Sequence, residues 1–169
     1  MAEMFQMLFV DTDAWIEEKE GMSITEIFEV KGEAYFRDLE THCLSELLKK
    51  DKTVDSRKEN DREKVCFERK PYMISVGGGL PVREENRLLL KQLGEVVYLK
   101  ATPKTIYERI KGDTTRPLLQ TENPFQKIKD MLNDREEKYQ AAAHRVVTVD
   151  SKSIIEIIQE ITQRMESNI

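Results

Sequence analysis

The chain has 169 residues, of which 39% are hydrophobic and 35% are charged. This length suits one domain with its own hydrophobic core, and the composition excludes a disordered or collagen-like chain. The formal net charge of −5 argues against a nucleic-acid partner, because nucleic-acid binding needs a broad positive surface. We therefore expect a single domain over residues 1–169 that acts on a small molecule.

The sequence shows no signal for export or membrane insertion. No apolar run approaches the ~20 residues that span a bilayer. The first ten residues, MAEMFQMLFV, lack a basic segment followed by a hydrophobic one. Cys43 and Cys66 have no spacing typical of a metal site or a redox pair, so we expect two reduced thiols. We expect a cytoplasmic protein that does not bind a membrane.

The first half of the chain predicts one strand and two helices. The apolar run MLFV at 7–10 predicts a buried parallel strand that ends in Asp-Thr-Asp. The capping box Ser-Ile-Thr-Glu at 23–26 predicts a short helix that ends near residue 30. Apolar residues at steps of three and four predict a long helix over 32–50. Residues 51–70 are mostly charged and have no sustained period, which indicates a solvated, partly helical insertion.

The second half alternates strands with helices. MISV at 73–76 predicts a strand, and the three glycines at 77–79 allow a tight turn and a close backbone approach to a ligand. The other predicted elements are a helix from 83, a strand over 95–101, helices beginning at 102–103 and 123–124, a strand over 145–150 and a final amphipathic helix.

This alternation predicts an α/β fold with a parallel sheet covered by helices on both faces. Ligands of such sheets bind outside the carboxyl ends of the strands. The polar residues at 11–13 and the glycines at 77–79 both follow predicted strands. We therefore expect the functional site where these two segments meet.

Asp11 and Asp13 are the first candidates for chemistry. In an extended strand, residues two apart point to the same side, so both carboxylates can share one substrate or one hydrated Mg²⁺ ion. The alternative is that an Asp after the strand caps the following helix. The residues alone leave both interpretations open.

Three arginines are candidates for binding anions, because a guanidinium group binds carboxylate or phosphate through two parallel hydrogen bonds. Arg37 and Arg135 lie on predicted helices, where a surface role is the alternative. Arg116 lies between two helices in a segment, about 112–124, that suits a mobile lid over a transferring phosphoryl group. His42 and His144 have no partner at a useful spacing and are expected to be structural.

Together these segments resemble the shikimate kinase family from about residue 4 to the C-terminus. The resemblance is carried, in order, by FVDTDAWIEEKEGMSITEIFEVKGEAYFRDLE, SVGGGLPVREENRLLL, VVYLKATPKTIYERIKGDTTRPLL and NDREEKY. It implies a three-layer P-loop kinase-like fold with a parallel sheet flanked by helices. It also implies transfer of the γ-phosphoryl group of ATP to the 3-hydroxyl of shikimate with Mg²⁺, a step of chorismate and aromatic amino-acid biosynthesis.

The resemblance also implies roles on the shikimate side of the site. Asp13 would hold ring hydroxyls of shikimate and orient or deprotonate the attacking one. Arg37 and Arg135 would bind the shikimate carboxylate. Gly78 would offer its backbone N–H to the substrate.

On the nucleotide side, the resemblance implies that Arg116 contacts the ATP phosphates from the lid and stabilises charge during transfer. Arg109 would border the adenine, and Asp11 would reach Mg²⁺ through water. We expect the protein to act as a monomer on shikimate and ATP.

The sequence departs from the family at the phosphate-binding loop. A shikimate kinase is expected to carry a strand and a G-x-x-x-x-G-K-S/T loop before the Asp-x-Asp strand. Only ten residues precede Asp11, and none of the seven glycines is followed by Lys. The loop cradles phosphates and its Ser or Thr holds Mg²⁺, so we expect the fold to lack its first strand and P-loop, and catalysis to fail.

Three explanations stay open. The start of the sequence is misassigned or truncated, and the functional protein is longer. Alternatively, the protein is a catalytically inactive relative that binds shikimate or a protein partner. In the third explanation, a separate chain supplies the missing strand at the open sheet.

Overall fold

The structure is a computed structural model that describes residues 1–56, 71–111 and 121–166. These residues divide into two compact units, Met1–Gly94 and Glu95–Ile169, hereafter unit 1 and unit 2. None of the described helices is long and apolar enough to cross a bilayer. Cys66, Arg116, most of the charged insertion and most of the predicted lid lie outside the described residues.

The described residues of unit 1, 1–56 and 71–94, form two strands, three α-helices and one 3-10 helix. In chain order these are β1 (Leu8–Asp11), α1 (Thr12–Glu20), α2 (Ile24–Ser56), β2 (Tyr72–Ser75), the 3-10 helix (Leu80–Val82) and α3 (Glu84–Leu93). β1 and β2 pair in parallel, and the last residue of β1, Asp11, is opposite the last residue of β2, Ser75. This register brings the segments after both strands to the same edge of the sheet.

Helix α1 has no counterpart among the predicted elements. Asp11 caps its N-terminus, and Gly21 ends it in the left-handed region at φ 64°. Both signals are present in the sequence, but Ile16 is the sole buried large apolar residue of the helix, so its apolar period is weak. The missed helix corrects the prediction of an extended Asp-Thr-Asp segment.

The predicted break between two helices is present inside α2. Gly32 has φ 81° and ψ 170°, which no helix contains and which glycine adopts without steric penalty. The capping box is also confirmed, because the Ser23 N–H donates to Glu26 Oε2 at 2.8 Å and the Glu26 N–H donates to Ser23 Oγ at 3.3 Å. The first part of α2 packs on α1 through a core of Ile16, Ile27 and Phe36.

In unit 2, the part of the chain that the structure describes forms two strands and three helices. They are β3 (Val97–Lys100), α4 (Pro103–Ile110), α5 (Pro124–Ala142), β4 (Arg145–Thr148) and α6 (Ile154–Glu166). Thr102 and Asn123 cap α4 and α5 with their side-chain oxygens, as the two X-Pro pairs predict. β3 and β4 pair in parallel, and Val147, Val149 and Ile161 form the buried core beneath them.

The α/β class and the parallel strand pairing are confirmed. The four described strands form two two-stranded sheets, one in each unit. Two of the four described strands are shorter than predicted, since 95–101 becomes Val97–Lys100 and 145–150 becomes Arg145–Thr148. The other two keep their length of four residues and shift by one residue. The apolar runs therefore identify the strands. The ends of each strand depend on how far it pairs with its neighbouring strand.

Candidate functional site

The carboxyl ends of β1 and β2 carry the candidate site. Asp11 Oδ1 accepts hydrogen bonds from the backbone N–H groups of Asp13 at 3.0 Å and Ala14 at 3.1 Å. Because helix geometry begins at Thr12, Asp11 and Asp13 are not neighbours on one side of an extended strand. The capping interpretation of Asp11 is confirmed, and the extended-strand interpretation of the pair is wrong.

Asp13 lies in the first turn of α1 and is partly buried. Among the described residues, none donates a hydrogen bond to its buried Oδ1 atom. Burial raises the pKa of Asp13, the negative charges of Asp11 and Glu17 raise it further, and the positive charge of Arg37 opposes them. Asp13 therefore presents a basic oxygen with unused capacity to accept a proton or a hydroxyl hydrogen bond.

Arg37, on α2, lies between two carboxylates. Its Nη2 atom donates to Glu33 Oε1 and its Nη1 atom to Glu40 Oε2, each at 2.9 Å. Burial alone lowers the pKa of Arg37, but the hydrogen bonds that Arg37 donates to Glu40 and Glu33 outweigh this effect, and the pKa is raised. The guanidinium is thus held in one orientation and stays positively charged.

Glu40 is a site residue that the sequence analysis missed. Its side chain is 1% exposed, compared with 67% for Glu33. Burial raises the pKa of Glu40, and its hydrogen bond with Arg37 opposes that rise. The spacing of three residues from Arg37 on one helix was the available signal, but sequence alone does not show which of the two glutamates is buried.

The glycine turn approaches both charged groups closely. A Cβ atom on Gly77 would lie 3.3 Å from Asp13 Oδ1, and one on Gly79 would lie 2.2 Å from Arg37 Nη1. Gly79 has φ −83° and ψ −28°, a conformation open to any residue. Glycine at 79 is therefore required for space and not for its conformational freedom.

Unit 1 thus brings together a carboxylate acceptor, a fixed guanidinium and the backbone of a tight glycine turn. The predicted meeting of the 11–13 and 77–79 segments is present at Gly77, beside Asp13. Such an arrangement suits a small ligand that carries both a negative group and hydroxyl groups.

A comparison with known protein families shows to which family the chain belongs. The family model described as Shikimate kinase matches residues 1–57 and 56–166. The chain belongs to the shikimate kinase family. The resemblance stated from the sequence motifs is confirmed.

Individual shikimate kinases match over nearly the whole chain. The protein of Sulfurihydrogenibium sp. (strain YO3AOP1) is 36% identical over 166 residues, which are 98% of this chain and 87% of that protein. A solved shikimate kinase from Acinetobacter baumannii in complex with shikimate has a TM-score of 0.81 and 36% identity, covering 99% of this chain and 83% of that one. The shikimate kinase from Aquifex aeolicus has a TM-score of 0.73 and 33% identity, covering 99% and 86%.

Two other arginines implicated by the shikimate kinase resemblance lie in unit 2. Arg109 is on α4, and its Nη2 atom donates to the backbone carbonyl of Val149 at 3.3 Å. Arg135 is on α5, directly before Glu136. Gly78 lies within the glycine turn of unit 1. The ligand contacts assigned to these residues stay predictions.

Glu136 fixes α5 against β3 beside Arg135. It accepts hydrogen bonds from Tyr98 Oη at 3.0 Å and from Lys100 Nζ at 2.5 Å. Burial and the neighbouring Glu136 carboxylate raise the pKa of Tyr98, so its hydroxyl stays protonated as a donor. These hydrogen bonds join α5 to β3 at the residue next to Arg135.

The Asp11 carboxylate, at the end of β1, is compatible with a Mg²⁺ ion that is bound through water. No cluster of three or more His, Cys, Asp or Glu side chains suited to a metal occurs in the described ranges. Mg²⁺ commonly takes one or two carboxylates and completes its shell with water and phosphate oxygens. Asp11 fits that smaller requirement through its Oδ2 atom, because the two hydrogen bonds that cap α1 use Oδ1.

Proposed function

We propose that this protein transfers the γ-phosphoryl group of ATP to the 3-hydroxyl of shikimate, in the chorismate branch of aromatic amino-acid biosynthesis. The observation that carries the proposal is the contact of one glycine turn with both Asp13 and Arg37. Membership of the shikimate kinase family supports it. We propose that the protein acts as a single domain and a monomer in the cytoplasm.

The proposed shikimate site uses one group for each feature of the substrate. Arg37 binds the carboxylate, because the guanidinium fork matches carboxylate geometry, and the family resemblance gives Arg135 the same role. Asp13 accepts hydrogen bonds from ring hydroxyls, and its raised pKa makes it a stronger base for the attacking hydroxyl. The Gly78 N–H donates to the substrate from the turn.

The proposed nucleotide side comprises Arg116 in the lid at 112–124, Arg109 beside the adenine and Asp11 towards Mg²⁺ through water. Bound Mg²⁺ would neutralise negative charge on the ATP phosphates. Asp11 Oδ1 is occupied as a helix cap, which leaves Oδ2 for a water ligand. Arg116 on the transferring group would stabilise the charge that develops there.

A second candidate function is shikimate binding without phosphoryl transfer. The printed 169 residues contain no Gly-Lys pair, so they lack the motif that holds ATP phosphates in P-loop kinases. The Asp13–Arg37–glycine site does not depend on that motif for its own geometry.

Two measurements on the 169-residue chain separate these functions. The first is ADP release from Mg-ATP with and without shikimate, and the second is calorimetric titration of shikimate. Shikimate-dependent ADP release supports phosphoryl transfer. Saturable binding without ADP release supports the second candidate, and the absence of binding contradicts both.

A matched pair of α2 variants controls these measurements. Arg37→Met removes the proposed carboxylate ligand and keeps most of the aliphatic stem. Lys49→Met removes one positive charge from an exposed position on the same helix. We expect the first variant to lose shikimate binding and the second to bind as the wild type does.

A further inference from the structure

Two adjacent side chains of α3 hold the segment that follows the glycine turn. Asn86 Nδ2 donates to the Leu80 carbonyl at 3.0 Å. Arg87 Nη1 donates to the carbonyls of Pro81 and Val82, each at 3.0 Å. Three consecutive carbonyls of the 3-10 helix therefore accept hydrogen bonds from two consecutive residues, hereafter the Asn86–Arg87 clamp.

Packing alone does not explain why the buried position 86 carries an asparagine. Asn86 and Leu80 are both 0% exposed. Asn86 Oδ1 is buried, and no hydrogen-bond donor reaches it in the part of the chain that the structure describes. A buried amide with one unsatisfied atom is less favourable than an apolar side chain of similar size. Asn86 differs from a leucine of similar size in one useful respect: its Nδ2 atom donates the hydrogen bond that holds the Leu80 carbonyl.

The position of the clamped segment determines the position of the glycine turn. The Leu80 N–H donates to the Gly77 carbonyl and the Val82 N–H donates to the Gly79 carbonyl, each at 3.1 Å. Gly79 in turn has no space for a Cβ atom beside the Arg37 guanidinium. A shift of residues 80–82 would move the turn relative to Arg37.

We propose that Asn86 and Arg87 are positioning residues that hold the glycine turn at the distance from Arg37 and Asp13 that shikimate binding requires. This inference rests on the proposed function of the site in binding shikimate. Neither side chain contacts the ligand in this account. The clamp acts through the 3-10 helix, which is the connection between α3 and the turn.

Three variants test the clamp. Arg87→Met keeps the aliphatic stem and removes both hydrogen bonds, whereas Arg87→Lys keeps one donor group. Asn86→Leu removes the Nδ2 donor and the unsatisfied Oδ1 atom together. Lys91→Met is the matched control, because Lys91 is an exposed basic residue on the same helix.

Shikimate titration and thermal unfolding separate positioning from packing. We expect Arg87→Met to weaken shikimate binding about tenfold, because small displacements of binding groups have large effects. We expect Arg87→Lys to recover part of that loss. Asn86→Leu relieves the unsatisfied Oδ1 atom but leaves the Leu80 carbonyl without its donor, so the two effects on stability oppose each other. We expect a small change in melting temperature together with clearly weaker shikimate binding, a combination that a packing role does not produce.

Amide hydrogen exchange without ligand tests the clamp independently of shikimate. Arg87→Met is expected to speed exchange at the Leu80 and Val82 amides, while Lys91→Met leaves it unchanged. Wild-type exchange together with wild-type shikimate affinity in both clamp variants would overturn the inference. If the wild type itself does not bind shikimate, the proposed function fails; faster exchange in Arg87→Met then still establishes the clamp.

Discussion

Substituting Gly79 by alanine tests how closely the glycine turn approaches Arg37. The backbone conformation at Gly79 is accessible to alanine, so the substitution adds one methyl group without backbone strain. That methyl carbon would lie 2.2 Å from Nη1, 2.6 Å from Cζ and 2.7 Å from Nη2 of Arg37. Ordinary contact requires the guanidinium to move by about 1 Å or more.

The displacement is costly because a carboxylate holds each of the two Nη atoms of the Arg37 guanidinium. Its hydrogen bonds to Glu33 and Glu40 are each 2.9 Å long, and the Glu40 side chain is 1% exposed. Weakening the bond to a buried carboxylate costs about 1.5–3 kcal/mol of unfolding free energy. A misplacement of about 1 Å can lower a reaction rate by about 100-fold, and we expect a ligand that is bound by the same guanidinium to lose affinity for the same geometric reason. We therefore expect Gly79→Ala to lose both stability and shikimate affinity.

The assay is shikimate titration together with chemical denaturation, and Gly77→Ala is the matched comparison. A Cβ atom on Gly77 would lie 3.3 Å from Asp13 Oδ1, a contact that a small adjustment relieves. Gly77→Ala is therefore expected to have the smaller effect on both quantities. If Gly79→Ala keeps wild-type affinity and stability, the turn is not pressed against Arg37 and the reasoning is refuted.

Substitutions at three further positions test the charged groups of the site. Glu40→Gln should lower the unfolding free energy by about 1–3 kcal/mol in urea denaturation, because Arg37 loses a charged acceptor; an unchanged midpoint would contradict a buried ion pair. Asp13→Asn should raise the melting temperature at neutral pH and abolish shikimate binding. Because burial raises the pKa of Asp13 in the folded state, wild-type stability falls as pH rises through that pKa, so the melting-temperature difference should shrink in acid; a difference independent of pH would argue against this cause. Asp11→Ala should cost about 1 kcal/mol through loss of the α1 cap, while Asp11→Asn keeps the cap; equal stability losses in the two variants would contradict capping.

The sequence predicts well those elements whose ends are marked by capping residues, glycine or proline. The capping box at Ser23, the break at Gly32 and the two X-Pro helix starts all act through neighbouring residues, and each is present in the structure. Helix α1 escaped prediction because it buries little apolar surface, and its capping Asp11 also suits a ligand site. The sequence around Asp11 alone therefore does not decide between a helix cap and a ligand-binding residue.

The candidate site was predictable in outline but not in its contacts. Parallel strands place the segments after β1 and β2 at one edge, so the meeting of residues 11–13 with the glycine turn followed from the strand pattern. The burial of Glu40 and the Asn86–Arg87 clamp did not follow. Both depend on which face of a helix meets the rest of unit 1, and that is a property of tertiary packing.

The most direct test of the account is calorimetric titration of the wild-type chain with shikimate and with shikimate methyl ester. The ester keeps the ring hydroxyls but lacks the negative carboxylate that Arg37 is proposed to bind. The account predicts saturable one-to-one binding of shikimate and a large loss of affinity for the ester. Failure to bind shikimate, or equal affinity for both compounds, would contradict it.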